Sequence, residues 1–448
     1  MSSTLPLLAG FGPGSRVGWQ RGEPVTAARF CAAAGELSVG LPKKRYVLNL
    51  CEDRLNFMLG FAAALIARQV SLLPPSRAAG AMRDIHAVYP EAYCLADHND
   101  LPAGLPALMI PAWREGPEAR SIPEVPAEQI ALTAFTSGST GKPQPHAKTW
   151  GSLVTAARAL ARRLEVGPAG CAILGTIPPQ HMYGIETTIM LPLQAGVSVH
   201  AARPLLPADI AQALAELPGA RWLATTPAHL RACVGENAKL PELAGVICAT
   251  MPLSPELVES VESLWHAPIH EIYGCTEAGT VALRRPARTQ TWRVCEEMRV
   301  WQEAESAWVA GGHLAQALKL PDRIEVVSEE QFILHGRPGD MAKIAGKRAS
   351  LEALNRELQR IPGVRDGVFF VSEPPAEGEV RLAALVVAPA LAPEAILKAL
   401  RERIDCAFLP RPLVVVDALP RNATGKLPRE GLLKLAAEAL ARESKRSA

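Results

Sequence analysis

Residues 135–143 read F-T-S-G-S-T-G-K-P, a set of residue types suited to holding phosphate. Glycines let the backbone turn sharply and approach an anion closely, while Ser137, Ser139, Thr140 and exposed amides supply donors and Lys142 supplies charge. A Walker-type loop is the first reading to test, and it requires a glycine, four residues, then Gly-Lys and a Ser or Thr. Thr136 stands where the first glycine belongs and Pro143 where the magnesium-binding hydroxyl belongs, so the segment fails that pattern twice. For the loop taken alone, a Gly/Ser surface turn without a ligand stays open.

The elements around the loop must position it. An apolar run at 130–135 predicts a strand feeding the loop, and a helical pattern follows at 150–163. Further on, short β-rich runs at 171–177, 221–225, 245–248 and 269–273 alternate with helical ones at 207–217 and 254–265, as expected for α/β units. Ligand sites in such sheets gather at the carboxyl ends of strands. The phosphate loop and the Tyr273-Gly274 turn both fall there, which makes them candidates for one cleft. Runs shorten between 281 and 334, predicting antiparallel strands. After a Gly- and Pro-containing break at 336–339, strands at 343–345, 364–371, 381–387 and 413–416 and helices at 351–360, 393–404 and 429–441 predict a separate α+β domain of about a hundred residues. Residues 442–448 read as a frayed polar tail.

With 448 residues the chain exceeds one core, and 48% hydrophobic residues supply ample material for two or three. A formal charge of +2 gives no pointer to nucleic acid or an anionic membrane. Nine scattered cysteines, an odd number without a C-x-x-C pair, argue against a zinc site and a disulfide framework. A reducing, cytoplasmic location is expected, and no signal peptide is evident. The apolar run at 57–67 is too short to span a bilayer and reads as a buried helix.

Four more segments stand in order after the loop: P-P-Q-H-M-Y-G at 178–184, I-Y-G-C-T-E-A-G at 272–279, L-H-G-R-P-G-D-M-A-K-I-A-G-K-R at 334–348 and L-P-R-N-A-T-G-K at 419–426. Each is weak alone, but the ordered set closely resembles the adenylate-forming superfamily of acyl- and aryl-CoA synthetases, peptide-synthetase adenylation domains and luciferases. The resemblance covers nearly everything after Ile130; the first 125 residues match only in general character. It implies a large α/β domain, residues 1–336, with sheets flanked by helices, and a small mobile lid, residues 337–448, with the active site between them.

The implied reaction has two steps. A carboxylate attacks the α-phosphate of ATP, giving an acyl-adenylate and pyrophosphate, and a thiol then attacks the mixed anhydride. Such transfers need donors, cations and Mg²⁺ rather than covalent help. By resemblance, Thr136, Ser137, Gly138, Ser139, Thr140, Gly141 and Lys142 hold the leaving phosphates, Thr276 touches the α-phosphate and Glu277 holds Mg²⁺. Tyr273 matches the ring that stacks on adenine, its plain alternative being strand-end packing, and Ala249, in A-T-M-P-L, lies on the adenine side. Asp322 takes the place of the ribose-binding aspartate, although Leu320-Pro321 replace the usual Thr-Gly. Arg337 matches the arginine that reads ribose or phosphate, and Arg348 is a second cation. Lys426 matches the lysine that bridges α-phosphate and attacking carboxylate, and Gly339 occupies the hinge position, where most relatives carry Asp or Lys. His181 stands beside the carboxylate pocket. Tyr183, Thr225 and Gly279, with Met182, Ile185, Trp222 and Thr226, are candidates to line it.

Where relatives often write P-K-G-V after the phosphate loop, this chain has Gln144-Pro145-His146, so a cation is missing and Lys148 or His146 is the available replacement. Compact stand-alone relatives with P-Q-P-H-x-K resemble ligases of aryl-polyene and pigment pathways, which implies a hydroxybenzoate-type acid and a separate acyl carrier protein as acceptor. A basic patch of Arg401, Arg403 and Arg411 would suit an acidic carrier, though scattered surface arginines are the better explanation of them. Coenzyme A is the alternative acceptor, and a noncatalytic nucleotide-binding relative is the alternative from another class.

Overall fold

The computed structural model describes residues 3–12, 14–20, 22–74, 79–101, 104–111, 113, 116–137, 143–168, 170–304, 306–336, 341–344, 347–372, 381–422 and 425–446. The backbone divides into two compact units. The first comprises Met1–Trp301, Trp308–Leu318 and Val327–Phe332, and the second Gln302–Ala307, Lys319–Val326 and Ile333–Ala448.

Two sheets organise the first unit. One is six-stranded, in the order Pro143–Thr149, Ile130–Ser137, Val70–Leu73, Tyr46–Asn49, Tyr93–Ala96 and Ala107–Met109. Its strands are parallel except for the first pair, which is an antiparallel hairpin. The stretch 143–149, which no predicted element covered, is therefore a strand. It lies at the sheet edge, where proline is tolerated. The second sheet has a parallel core of Ser198–His200, Cys171–Gly175, Ala220–Thr225, Gly245–Cys248 and Ile269–Cys275, continued by antiparallel Gly279–Arg284 and Thr291–Val294. Near-continuous apolar strands pack against the helices Pro207–Ala215, Pro227–Gly235 and Pro255–Trp265, with Leu174, Leu214, Leu223, Leu230, Val246 and Val261 at the centre.

Helix starts follow their caps. Asp53 accepts from the Asn56 amide at 2.9 Å and opens the predicted buried helix, seen at Arg54–Ile66. Thr149 accepts from the Ser152 amide at 3.1 Å and opens Trp150–Leu164, which ends at Glu165 with a φ of 57°. Arg54, fully buried, ties that first helix to the second sheet by donating to the Gly175 and Ile177 carbonyls at 2.8 and 2.9 Å. Among the described residues no helix is long and apolar enough to cross a membrane.

The second unit contains a three-stranded sheet, Asp366–Ser372, Arg381–Val387 and Leu413–Val415. Its strands alternate strictly: Phe369, Leu382, Ala384 and Val386 face one core, whereas Phe370, Ala383, Leu385 and Val387 face the other. Leu354 and Leu358 of helix Leu351–Gln359 and Ile396 and Leu400 of helix Pro393–Arg401 fill the first. Leu432, Ala436 and Ala439 of the last helix fill the second. That helix runs Arg429–Arg446, so the expected frayed tail from 442 is helical to 446; its Glu, Lys and Arg residues are good helix formers.

Candidate active site

The hairpin that carries the phosphate loop places Ser137 opposite Pro143. Gly138, Ser139, Thr140, Gly141 and Lys142 lie outside the described residues. Strand alternation puts Gln144, His146 and Lys148 on one face. His146 reaches diagonally across the pair, its Nε2 3.1 Å from the Thr136 hydroxyl. A register shift between Lys148 and Thr149 interrupts the ladder just before the helix that Thr149 caps. The extra residue, Ala131, belongs to the partner strand.

Opposite this face is the turn joining strands Ile269–Cys275 and Gly279–Arg284 of the second sheet. Thr276 is half-buried there and Glu277 exposed. The turn depends on glycine: Gly279 has a φ of +75°, and a Cβ on it would lie 2.5 Å from Glu186 Oε1. Polar side chains from three other segments grip the turn. Lys148 Nζ donates to the Glu277 carbonyl. His313 Nε2 donates to the Ala278 carbonyl at 2.7 Å, and because a carbonyl only accepts, Nε2 carries the proton. Glu186 accepts from the Thr280 amide at 3.0 Å and the Thr280 hydroxyl at 2.7 Å. Glu186 is only 5% exposed and opens a short π-helical segment, Glu186–Met190, a distortion often found at functional sites. His146 completes the ring, with Nε2 3.7 Å from Glu277 Oε1.

The electrostatics follow from this crowding. Burial pulls the Lys148 ammonium down from its ordinary value, while Glu186, Cys275 and Glu277 push it back up. Burial likewise lowers His146 and His313, opposed by Glu277 and Glu186 respectively. The site thus joins the two sheets through charged groups around an exposed carboxylate.

Other residues expected from the sequence cap neighbouring strands. His181 precedes the short helix Met182–Ile185 and is half-buried. The Tyr183 hydroxyl lies 3.0 Å from the Thr225 carbonyl and 2.8 Å from the Ile247 carbonyl, bridging two parallel strands. Thr225 is fully buried, and its hydroxyl meets that of Thr176 at 2.9 Å. Ala249 directly follows strand Gly245–Cys248 and is buried. Tyr273 is 7% exposed and packs on Trp292 and Phe332, with ring centroids 5.7 and 5.4 Å away.

Within the second unit, Lys426 is exposed on a turn whose ends bond each other: the Lys426 amide donates to Asn422 Oδ1 at 2.9 Å and the Asn422 amide to the Lys426 carbonyl at 2.8 Å. Arg421 anchors this turn through Asp366, with two bonds of 2.6 and 2.8 Å, and also donates to the Gly425 carbonyl at 2.9 Å. Asp322 is half-buried just before strand Arg323–Ser328. Arg348 lies on strand Lys347–Ser350, paired with Lys343. Arg337 and Gly339 lie outside the described residues. Of the expected basic patch, Arg403 pairs with Glu357 at 3.7 Å.

Glu186, His313, Asp366 and Arg421 went unflagged by sequence reasoning. A lone acid in the apolar stretch 182–195 is a readable signal for Glu186. His313 gives none, since its partner is a backbone carbonyl.

Comparison with known proteins decides the family. The sequence profile described as AMP-binding enzyme matches residues 37–306. The chain belongs to the AMP-binding enzyme family. This AMP-binding enzyme is 28% identical to a 4-coumarate–CoA ligase of Halorhodospira halophila over 339 residues, 72% of this chain and 82% of that one. It is 24% identical to a 3-hydroxybenzoate–CoA/4-hydroxybenzoate–CoA ligase of Thauera aromatica over 350 residues, 68% of this chain and 66% of the other. Its fold matches that of the O-succinylbenzoate coenzyme A synthetase of Bacillus subtilis in complex with AMP, with a TM-score of 0.76 at 16% identity, covering 93% of this chain and 95% of that one. The mixed α/β architecture expected from the resemblance is therefore present, with several sheets flanked by helices.

Proposed function

We propose that this enzyme is an AMP-forming acid–thiol ligase: it activates a carboxylic acid, an aryl acid of the hydroxybenzoate type, with ATP, and passes the acyl group to a phosphopantetheine thiol. The observation that carries this reading is the meeting of the phosphate-loop hairpin with the Thr276-Glu277 turn, where Lys148 bonds the Glu277 carbonyl across 129 residues of sequence. Family membership supports adenylation. The named acids of the two relatives, coumarate and hydroxybenzoate, support an aryl substrate. Coenzyme A and a separate acyl carrier protein present the same thiol, and the relatives named as CoA ligases favour coenzyme A.

The donor set fits magnesium. Among the described residues no group of three or more His, Cys, Asp and Glu is placed to hold a metal alone. Mg²⁺ prefers one or two carboxylates plus phosphate oxygens and water, which the exposed Glu277 supplies in part. When bound, the ion would neutralise charge on the phosphates. In our assignment Thr136 and the 137–142 loop hold the departing pyrophosphate, and Thr276 donates to the α-phosphate. Ala249 and Tyr273 border adenine, Asp322 and Arg337 take the ribose, and Arg348 adds a cation. Lys426 steadies the attacking carboxylate, His181 and Gly279 face the acid, and Tyr183 and Thr225 form the wall behind it. Gly339 serves as the hinge between the steps. These groups act by positioning and by spreading developing charge. A cytoplasmic site of action, where ATP and either thiol are at hand, completes the proposal.

The test is ATP–pyrophosphate exchange with a panel of aromatic and aliphatic acids, followed by addition of coenzyme A or a holo-carrier and weighing of the product. Exchange with hydroxybenzoates and a coenzyme A thioester are expected. ATP binding without exchange for any acid would sink the ligase reading, and ADP as product would replace it with a kinase.

A further inference from the structure

Position 144 is Gln where the resemblance described above leads to the expectation of a lysine, and the hairpin shows where the nearby cation goes. Lys148 is on the same face as Gln144 but four residues along, about 13 Å at a strand's rise per residue. It does not reach the place a lysine at 144 would occupy. Its ammonium instead meets the back of the catalytic turn, at the Glu277 carbonyl. The backbone that carries it is fixed: Lys148 pairs in register with Leu132, the next residue caps a helix, and Trp150 beyond is wholly buried. His146, on the same face, lies between the Thr136 hydroxyl and the Glu277 carboxylate at 3.1 and 3.7 Å. From the other side the turn is held by His313 at the Ala278 carbonyl and by Glu186 at Thr280.

Resting on the reading of the protein as an adenylating ligase, we propose that the strand leaving the phosphate loop is a brace for the Thr276-Glu277 turn, with Lys148 and His146 as positioning residues. The missing cation is replaced in charge and not in place: it acts on the nucleotide through the backbone of Glu277. Phosphate hairpin and turn then move as a unit, so that the groups for the leaving phosphates and the groups for the α-phosphate keep a fixed separation. Such support of a ligand group by its neighbours is worth about 10–100-fold in affinity or activity.

The experiment compares wild type with Lys148→Met, which keeps the bulk and removes the charge, and Lys148→Arg, which keeps the charge. Amide exchange of a peptide covering residues 272–280 reads the brace without requiring turnover, and kcat and KM for the acid in ATP–pyrophosphate exchange read its consequence. In Lys148→Met the turn amides should exchange about tenfold faster while strand Gly245–Cys248 is unchanged, kcat should fall about 30-fold, and KM for the acid should stay within about twofold. Lys148→Arg should recover most of both losses. His146→Asn gives the same comparison, with smaller changes, if Lys148→Met does not fold. Turn exchange equal to wild type overturns the brace whether or not an acid substrate is found, and a loosened turn with wild-type kcat overturns its role in the reaction. A loosened turn in a wild-type background inactive on every acid supports the brace and removes the proposed function instead.

Discussion

In the turn that carries Glu277, the supporting contacts come from far along the chain: Lys148 is 129 residues away, Glu186 is 94 from Thr280, and His313 is 35 from Ala278. In the turn that carries Lys426, the described contacts include local ones between Asn422, Gly425 and Lys426 and a distant anchor where Arg421 meets Asp366 across 55 residues. A turn braced from afar takes its shape from the packing of two sheets, so any change in that packing reaches the chemistry. A turn that bonds itself keeps its shape within its own unit. The contrast suits the tasks proposed for them, since Glu277 must register with a separate hairpin whereas Lys426 needs only to be presented.

Three substitutions probe that contrast, in falling order of effect. Lys426→Ala should cut acid-dependent ATP–pyrophosphate exchange by about 10³-fold, the size seen when a preorganised charge-stabilising group is removed. Its thermal melting should match wild type, because the side chain is exposed; retained exchange would remove Lys426 from the assigned role. Gly279→Ala should destabilise the first unit by about 2 kcal/mol in denaturant unfolding, combining the left-handed backbone cost with displacement of Glu186. Because the turn is braced from afar, its kcat should fall as well. Asp366→Asn should cost about 1.5 kcal/mol of second-unit stability, by loss of a charge-assisted bidentate pair, and lower exchange less than fivefold. A larger loss of activity in Asp366→Asn than in Gly279→Ala would reverse the comparison.

The parallel strands and their helices were legible in the sequence because local periodicity and packing agree there: runs predicted at 221–225 and 245–248 became strands Ala220–Thr225 and Gly245–Cys248. The segment that carries Glu277 was legible as a motif. What supports it was not, because Glu186 and His313 act on backbone groups, and no residue type at 278 or 280 records which side chain will arrive. The strand Pro143–Thr149 was missed for another reason: two prolines argue against a strand unless its place at a sheet edge is known. The last helix outran its expected end because polar residues with high helix propensity resemble a tail in composition.

Those same two prolines have a further effect at the outer edge of the six-stranded sheet. An edge strand is a template on which a strand from another molecule can add, and proteins at high concentration must blunt it. Pro145 is exposed and, like Pro143, offers no amide to an incoming chain. The segment that carries Gln-Pro-His thereby also resists strand addition along this edge of the sheet.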